Sequence, residues 1–439
     1  MKSFHQIIFI VLSVIAVIWT GCEGILDDTN DPHIKFINPK KSDSYKVPDT
    51  IQVKAKISDD KNIEWVKVAL VDNNGQSICS SIAIENIDGN EYFLNEKYPL
   101  NNMQLETDEY NLRIEASDGP NTTKEERYLS ISELKKKIKN FLVITKSNSE
   151  EVSVTKLDSN YGNKQFIFSE PTDYLDSRYN SSNQQLIISG KTNYDTKAFN
   201  IPDYTMDWSV PVSGNSQNSS FTSLEANDKL IALGSSEGFI ELFDKDGNNM
   251  KKLHCNSGLH PYELEIMENR VAAAEKISAV NYLTVYYTDG GIIDEQKSIG
   301  GEIIGLYTRK GDYSENTRLV IIGNKMGRGC IWHYRISDNN LWKASELTYE
   351  KIYTACRISD ENYLAGTGQH IREHTYDPGS TVRWVENMSP DRLEYEPVTK
   401  TVIAIKNKTI YFYDWESASL KNTVQMNDQV LNVHFVYNK

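Results

Sequence analysis

Cysteine is scarce in this chain of 439 residues: there are five, and no two form a C-x-x-C pair. Neither a zinc site nor a dithiol redox motif is therefore indicated. Cys79, Cys255, Cys330 and Cys356 lie scattered, and spacing alone selects no disulfide among them. Base is outnumbered by acid, 47 Lys and Arg against 61 Asp and Glu, giving a formal net charge of −14. The one dense basic cluster, Lys135-Lys136-Lys137-Ile138-Lys139, is too short to track phosphates, so a nucleic-acid binder is excluded. The acidic balance also argues against binding anionic lipid through bulk electrostatics. The apolar run from Ile7 to Thr20 has 14 residues, short of the roughly 20 that a membrane-spanning helix needs. No G-x-S-x-G, H-E-x-x-H, P-loop or kinase set occurs, which removes the commoner motif-defined hydrolases and phosphotransferases.

What is present begins with an address. Lys2 supplies a positive start, Ile7 to Thr20 an apolar segment, and Trp19-Thr20-Gly21-Cys22 a small residue followed directly by cysteine. This arrangement resembles the lipobox of bacterial lipoproteins. The resemblance implies cleavage after residue 21 and lipidation of Cys22, hence a membrane partner through the N-terminal lipid; a plain cleaved signal is the alternative. Residues 22–32 are acidic and turn-rich and suit a tether rather than a buried face. They also resemble the acidic export tracts of Bacteroidota lipoproteins, which implies the cell envelope: an outer-membrane protein, periplasmic or surface-exposed.

Some 417 residues follow the signal, beyond the roughly 250–300 that one core serves, so at least two domains are expected. With 25 Tyr and many Asn, Ile, Thr and Ser, the composition favours short strands and polar turns, and the expected fold class is all-β. Seven strand candidates fall within residues 33–131: His33–Asn38, Thr50–Ser58, Trp65–Val71, Ile78–Ile84, Tyr92–Tyr98, Tyr110–Ser117 and Glu126–Ile131. Alternation in Ile51, Val53, Ala55 and Ile57 buries one face, and Asp59-Asp60-Lys61-Asn62 and Asp72-Asn73-Asn74-Gly75 supply turns. Seven strands in about 100 residues predict a β-sandwich. The run Thr50 to Gly75 and Glu115-Ala116-Ser117-Asp118-Gly119 resemble bacterial immunoglobulin-like and cadherin-like modules. The cadherin likeness implies calcium at Asp59, Asp60 and Asp118; turn formation accounts for the same aspartates more simply, and no cofactor is expected.

Residues 132–140 form a linker, with a short helix expected over Ile131 to Asn140. Beyond it an apolar strand recurs seven times, starting at Phe141, Leu186, Leu230, Val271, Leu319, Leu364 and Val402, at spacings of 38 to 48 residues. That period brackets the roughly 40–45 residues of a four-stranded propeller blade. Several copies are followed by a strand ending in an aromatic and an acid, such as Phe243-Asp244 and Tyr413-Asp414. The pattern is similar to WD40, YVTN-like and quinoprotein-like propellers, without the Gly-His and Trp-Asp signatures, and implies a seven-bladed β-propeller over residues 141–439. Val430 to Tyr437 follows the seventh copy and is expected to pair beside the first blade, hiding the edge strands.

Candidate ligand-binding residues are few. His370, Arg372 and His374 alternate along one strand, which places them on one face, expected to be exposed. The two histidines, about 13 Å apart, are too distant to share a metal ion. His254, Cys255 and His260 provide no second ligand pair. Trp208, Trp332, Trp384 and Trp415 are either sugar-stacking platforms or rings that pack the blades. Three functional classes stay open. One is a non-enzymatic recognition or assembly protein whose propeller binds a protein or glycan partner. The second is a carbohydrate-active hydrolase or lyase with a carboxylate pair that meets only in space. The third is a redox quinoprotein.

Overall fold

The computed structural model describes residues 30–212, 219–310, 317–377 and 379–439. The signal segment, Cys22 and most of the tether lie outside them. The described residues contain 36 strands and no helix, and the chain divides into two compact units, Met1–Lys135 and Lys136–Lys439.

The first unit consists of two sheets around one core. His33–Asn38, Asp49–Ser58 and Glu91–Leu100 form the first. The second runs in the order Ser44–Lys46, Thr122–Ser132, Asp108–Ser117, Trp65–Val71, Ile82–Glu85. The alternation seen in the sequence is the burial pattern: Ile51, Val53, Ala55 and Ile57 are all 0% exposed, with polar residues between them on the other face. Opposite them, Val66, Val68, Leu112 and Ile114 complete a single apolar cluster. Tyr98 spans the two sheets, its hydroxyl oxygen accepting the backbone N–H of Leu70 at 2.9 Å, which satisfies a buried phenol. Ser44–Lys46 is a strand with no sequence signal of its own; it pairs parallel with Ser130 to Ser132.

No helix forms over 131–140. Thr122–Ser132 is strand, 133–137 connects, and Ile138 enters the strand Ile138–Asn148, where it lies opposite Tyr437. Four lysines within five residues repel one another on a helix, and pairing with a distant strand decides the conformation instead.

The second unit comprises, among the described residues, seven four-stranded antiparallel sheets. Six are built from consecutive strands and span 176–210, 221–254, 260–299, 302–348, 352–385 and 392–425. The other, here the first, combines three strands within 138–171 with Gln429–Tyr437. This last strand pairs antiparallel with Ile138–Asn148, Val433 opposite Val143 and Phe435 opposite Phe141, as expected for the segment from Val430. The innermost strands of successive sheets touch in a closed ring, with Gln429–Tyr437 between those of the seventh and second sheets.

Each recurring apolar run is the second strand of its sheet. Gln185–Ser189 and Ile231–Ser235 are buried at every position, because neighbouring sheets cover both faces, and so these runs do not alternate. Seven separate cores result, one per junction; Ile187, Ala198, Phe221 and Leu233 join the second and third sheets, and Phe141, Val143, Ile403 and Phe412 join the first and seventh. Backbones approach closely inside these sheets. A Cβ at Gly323 would lie 1.9 Å from the carbonyl oxygen of Glu302, where the register shifts between Ile303 and Gly305, so only glycine fits.

Candidate functional site

A ring of innermost strands leaves a hole, and the alternation of each strand decides what lines it. On Arg392–Glu396, Leu393 turns into the core while Arg392 and Glu394 face the opening. On His260–Ile266, Leu264 is buried and Glu263 and Glu265 face it. Asp176 and Arg178 enter from the second sheet and Glu225 from the third. The resulting funnel has a volume of about 830 Å³.

One side is an ion-pair chain. Arg178 is paired with Asp176, and its Nε and Nη2 both donate to Glu225 Oε2 at 3.1 Å. Arg392 donates from Nη1 to Asp176 Oδ1 at 2.9 Å and from Nε to Glu394 Oε1 at 2.8 Å. Glu225, Arg178, Asp176, Arg392 and Glu394 thus form a continuous line across three sheets. Burial opposes the Asp176 charge, but Arg178 and Arg392 outweigh it and hold this carboxyl below the usual range. In Glu225 burial wins over the attraction of Arg178 and the acidity is weakened.

The wall from the fourth and fifth sheets differs. Glu263 makes no hydrogen bond or ion pair with the described residues, and burial, reinforced by Glu225 and Asp176 against Arg178, pushes its carboxyl up to about 8. Glu265 accepts the backbone N–H of Thr308, at 2.7 Å, and burial followed by the Glu225 charge raises it to about 7. Both acids therefore carry a proton for part of the time near neutrality. Beside them, burial raises the Tyr307 phenol.

Ser177 and His434 face each other at 2.7 Å, the spacing of a nucleophile and its base. Ser177 is 0% exposed, however, and its hydroxyl also meets Tyr174 at 2.9 Å and the Asn432 amide at 3.3 Å. Burial, followed by Arg392, depresses His434 to about 3, so the ring stays neutral. This cluster fastens the closing strand to the second sheet.

The sequence candidates lie elsewhere. The expectation of an exposed His370–His374 face is corrected: His370 is 8% and His374 5% exposed, because the sixth sheet is covered by its neighbours. His370 and Arg372 both approach Glu350, at 3.7 and 3.6 Å, whereas His374 bonds Thr381 at 2.9 Å, and burial lowers it to about 4. Trp332 is core. Trp384 and Trp415 stack on each other, centroids 5.7 Å apart, and Trp208 donates to the Lys245 carbonyl, so the four rings share no platform. All four remaining cysteines are free. In the first unit the carboxylates of Asp59, Asp60 and Asp118 accept hydrogen bonds from Lys61 N, Asn30 Nδ2 and Asn121 N. No group of three or more metal-ligating side chains occurs among the described residues. The funnel acids left a faint trace in the sequence: Asp176-x-Arg178, Glu263-x-Glu265 and Arg392-x-Glu394 each precede an apolar run by ten residues or fewer.

No family model and no curated protein matches this sequence. Among solved structures, the chain is similar to a quinoprotein alcohol dehydrogenase-like protein from Bacteroides thetaiotaomicron. The identity is 11% and the TM-score 0.50, over 91% of this chain and 97% of that one. It also aligns with the WD40 domain of Neurospora crassa Pan2, at 10% identity and TM-score 0.46 over 59% of this chain and 80% of that one. At these identities the likeness concerns fold alone, and the chain is an all-β protein with propeller-type structural neighbours.

Proposed function

We propose that this protein is a lipid-anchored envelope protein of the recognition class. In this reading Cys22 carries the anchor at the outer membrane, residues 33–131 are an immunoglobulin-like spacer, and residues 141–439 are a seven-bladed propeller that binds a protein or glycan partner without turning it over. The observation that carries it is the funnel, an open cavity whose charged wall from Glu225 to Glu394 is held rigid by its own ion pairs. Such a wall offers fixed donors and acceptors to a ligand at little cost in reorganisation. Seven sheets closed by the last strand, and the two-sheet first unit, support the architectural part. Replacing Cys22 with Ser is expected to abolish lipid labelling and release the protein from the membrane fraction; unchanged membrane association overturns the anchor.

A second reading, a polysaccharide hydrolase or lyase, is favoured by Glu263, since a carboxyl that keeps its proton near neutrality has the property of a general acid. Incubation with bacterial surface polysaccharides separates the two. Turnover that vanishes in Glu263→Gln overturns the recognition reading, and binding without turnover discards the enzyme.

A further inference from the structure

The funnel's charges do not balance, and the imbalance is local. Seven carboxyl groups line it against four cationic side chains, and each cation is already engaged. Arg178 and Arg392 serve the ion-pair chain, Arg357 pairs with Asp360, and Lys136 sits 4.1 Å above the Tyr437 ring and bonds Ser181. Asp228 and Asp391 are exposed to water, so among the half-buried acids the deficit falls on Glu263 and Glu265. These two stand at alternate positions of one innermost strand, with Cα atoms about 6–7 Å apart. Beside them, on the innermost strand of the adjacent sheet, the Tyr307 hydroxyl has no hydrogen-bond partner among the described residues, and the charges of Glu263 and Glu265 help hold its proton. A funnel that pairs its other half-buried acids, Asp176, Glu225 and Glu394, and leaves two carboxyls and a phenol oxygen without a cation is shaped around one missing positive group.

We propose that the wall formed by Glu263, Glu265 and Tyr307 is the receptor for a single ammonium or guanidinium group, carried by a polypeptide side chain or a free amine. This inference rests on the funnel being the binding surface and names the chemistry that surface recognises. The cation lies between the two carboxylates, and the Tyr307 ring and hydroxyl close the third side. Binding favours the ionised acids, so it releases protons, and affinity rises with pH until both carboxyls are ionised. The groups that bias Glu263 are Asp176 and Arg178 of the second sheet, Glu225 of the third and Arg392 of the seventh. Glu265 feels Glu225 and Arg357. Glu394 and Cys356 complete the charged or titratable groups around Tyr307, and His434 remains neutral at the far side.

The test is calorimetric titration of the purified full chain with N-acetyl-argininamide, its uncharged citrulline analogue, methylguanidine and the peptide Gly-Arg-Gly, in buffers of different ionisation heat. The argininamide is expected to bind with release of up to two protons, the citrulline analogue at least tenfold more weakly. Affinity should fall at least tenfold from pH 9 to pH 6. Glu263→Gln should lose at least tenfold, and Glu346→Gln, on an outer strand, nothing. A gain of Gly-Arg-Gly over methylguanidine assigns the group to a polypeptide; equal affinity assigns it to a free amine. Should Glu263→Gln fail to fold, the buffer dependence of the unaltered chain decides. No binding of argininamide, equal binding of citrulline, or binding without proton release overturns the inference. Neutral glycan binding at the funnel, indifferent to pH, overturns it while leaving the recognition reading intact; a funnel where neither protein nor glycan binds defeats both.

Discussion

The two compact units bury apolar surface in opposite ways. The first gathers its apolar side chains into one cluster, so that Ile51 and Leu112 belong to a single core fed by both sheets. The second distributes them over seven junctions, and its centre, where a globular domain is usually most apolar, is lined by acids and arginines. In the first unit no interior position is free to carry charge without loss of packing. In the second, the innermost residues point away from every core, so charge there is nearly independent of the fold. Function is accordingly sought in the funnel of the second unit and not in the interior of the first.

The sharpest way to break this comparison is to open the ring. Deleting residues 429–439 removes the strand that fills the first sheet and the junctions at Val430, Val433 and Val436. The second unit is expected to lose its cooperative thermal transition, whereas a ring stable without closure would retain it. Next in size, Arg178→Ala strands the Glu225 carboxylate in a partly buried wall, leaves Asp176 to Arg392 alone, and should cost about 3 kcal/mol in chemical denaturation. Ile51→Ala, in the single core of the first unit, should cost about 2–5 kcal/mol by the same measurement.

An effect of similar size follows from Glu263. Its carboxyl titrates near 8 in the folded protein and near 4.5 when unfolded, so the folded state binds an extra proton between those values. Stability from this group is full below about pH 4.5 and is lost as pH rises through 8. Glu263→Gln removes that loss. Relative to the parent, the variant should gain on the order of 4 kcal/mol between pH 5 and pH 8.5 in urea unfolding. A constant difference across that range would mean that Glu263 ionises normally.

Sheets were legible in the sequence and the funnel was not, and the reason is physical. Val271-Ala272-Ala273-Ala274 is apolar at every position because both faces are covered, a signal that survives without any alignment. Ile51 to Ile57 alternates because one face is covered. Both patterns are local. Asp176 and Arg392 are 216 residues apart and meet only because the ring closes, so their pairing has no signature in spacing. His370 and His374 misled for the converse reason: period two gives a shared face but does not say whether another sheet lies on it. The lysine-rich segment 135–139 misled because the partner of Ile138, Tyr437, lies at the other end of the chain. Ser44–Lys46 is short and polar, and only its register against Ser130 makes it a strand.

The smallest expected effect concerns the same chemistry as Arg178 in the opposite setting. Lys56 and Glu91 form an ion pair of 2.5 Å across paired strands of the first unit, with side chains 46% and 62% exposed. Water solvates both groups when the pair is broken, and holding the lysine in place costs rotamer entropy, so Lys56→Ala should change stability by about 0.2–1 kcal/mol at most. That is several-fold less than Arg178→Ala, although both substitutions delete one cation beside a carboxylate. Raising salt from 0.1 to 1 M should erase the Lys56 effect, because exposed charges are screened within a few ångströms, and leave most of the Arg178 effect. Equal losses for the two variants, with equal salt dependence, would mean that the funnel wall is as well solvated as the outer face of the first unit, and the case for a built receptor among its acids would fall with it.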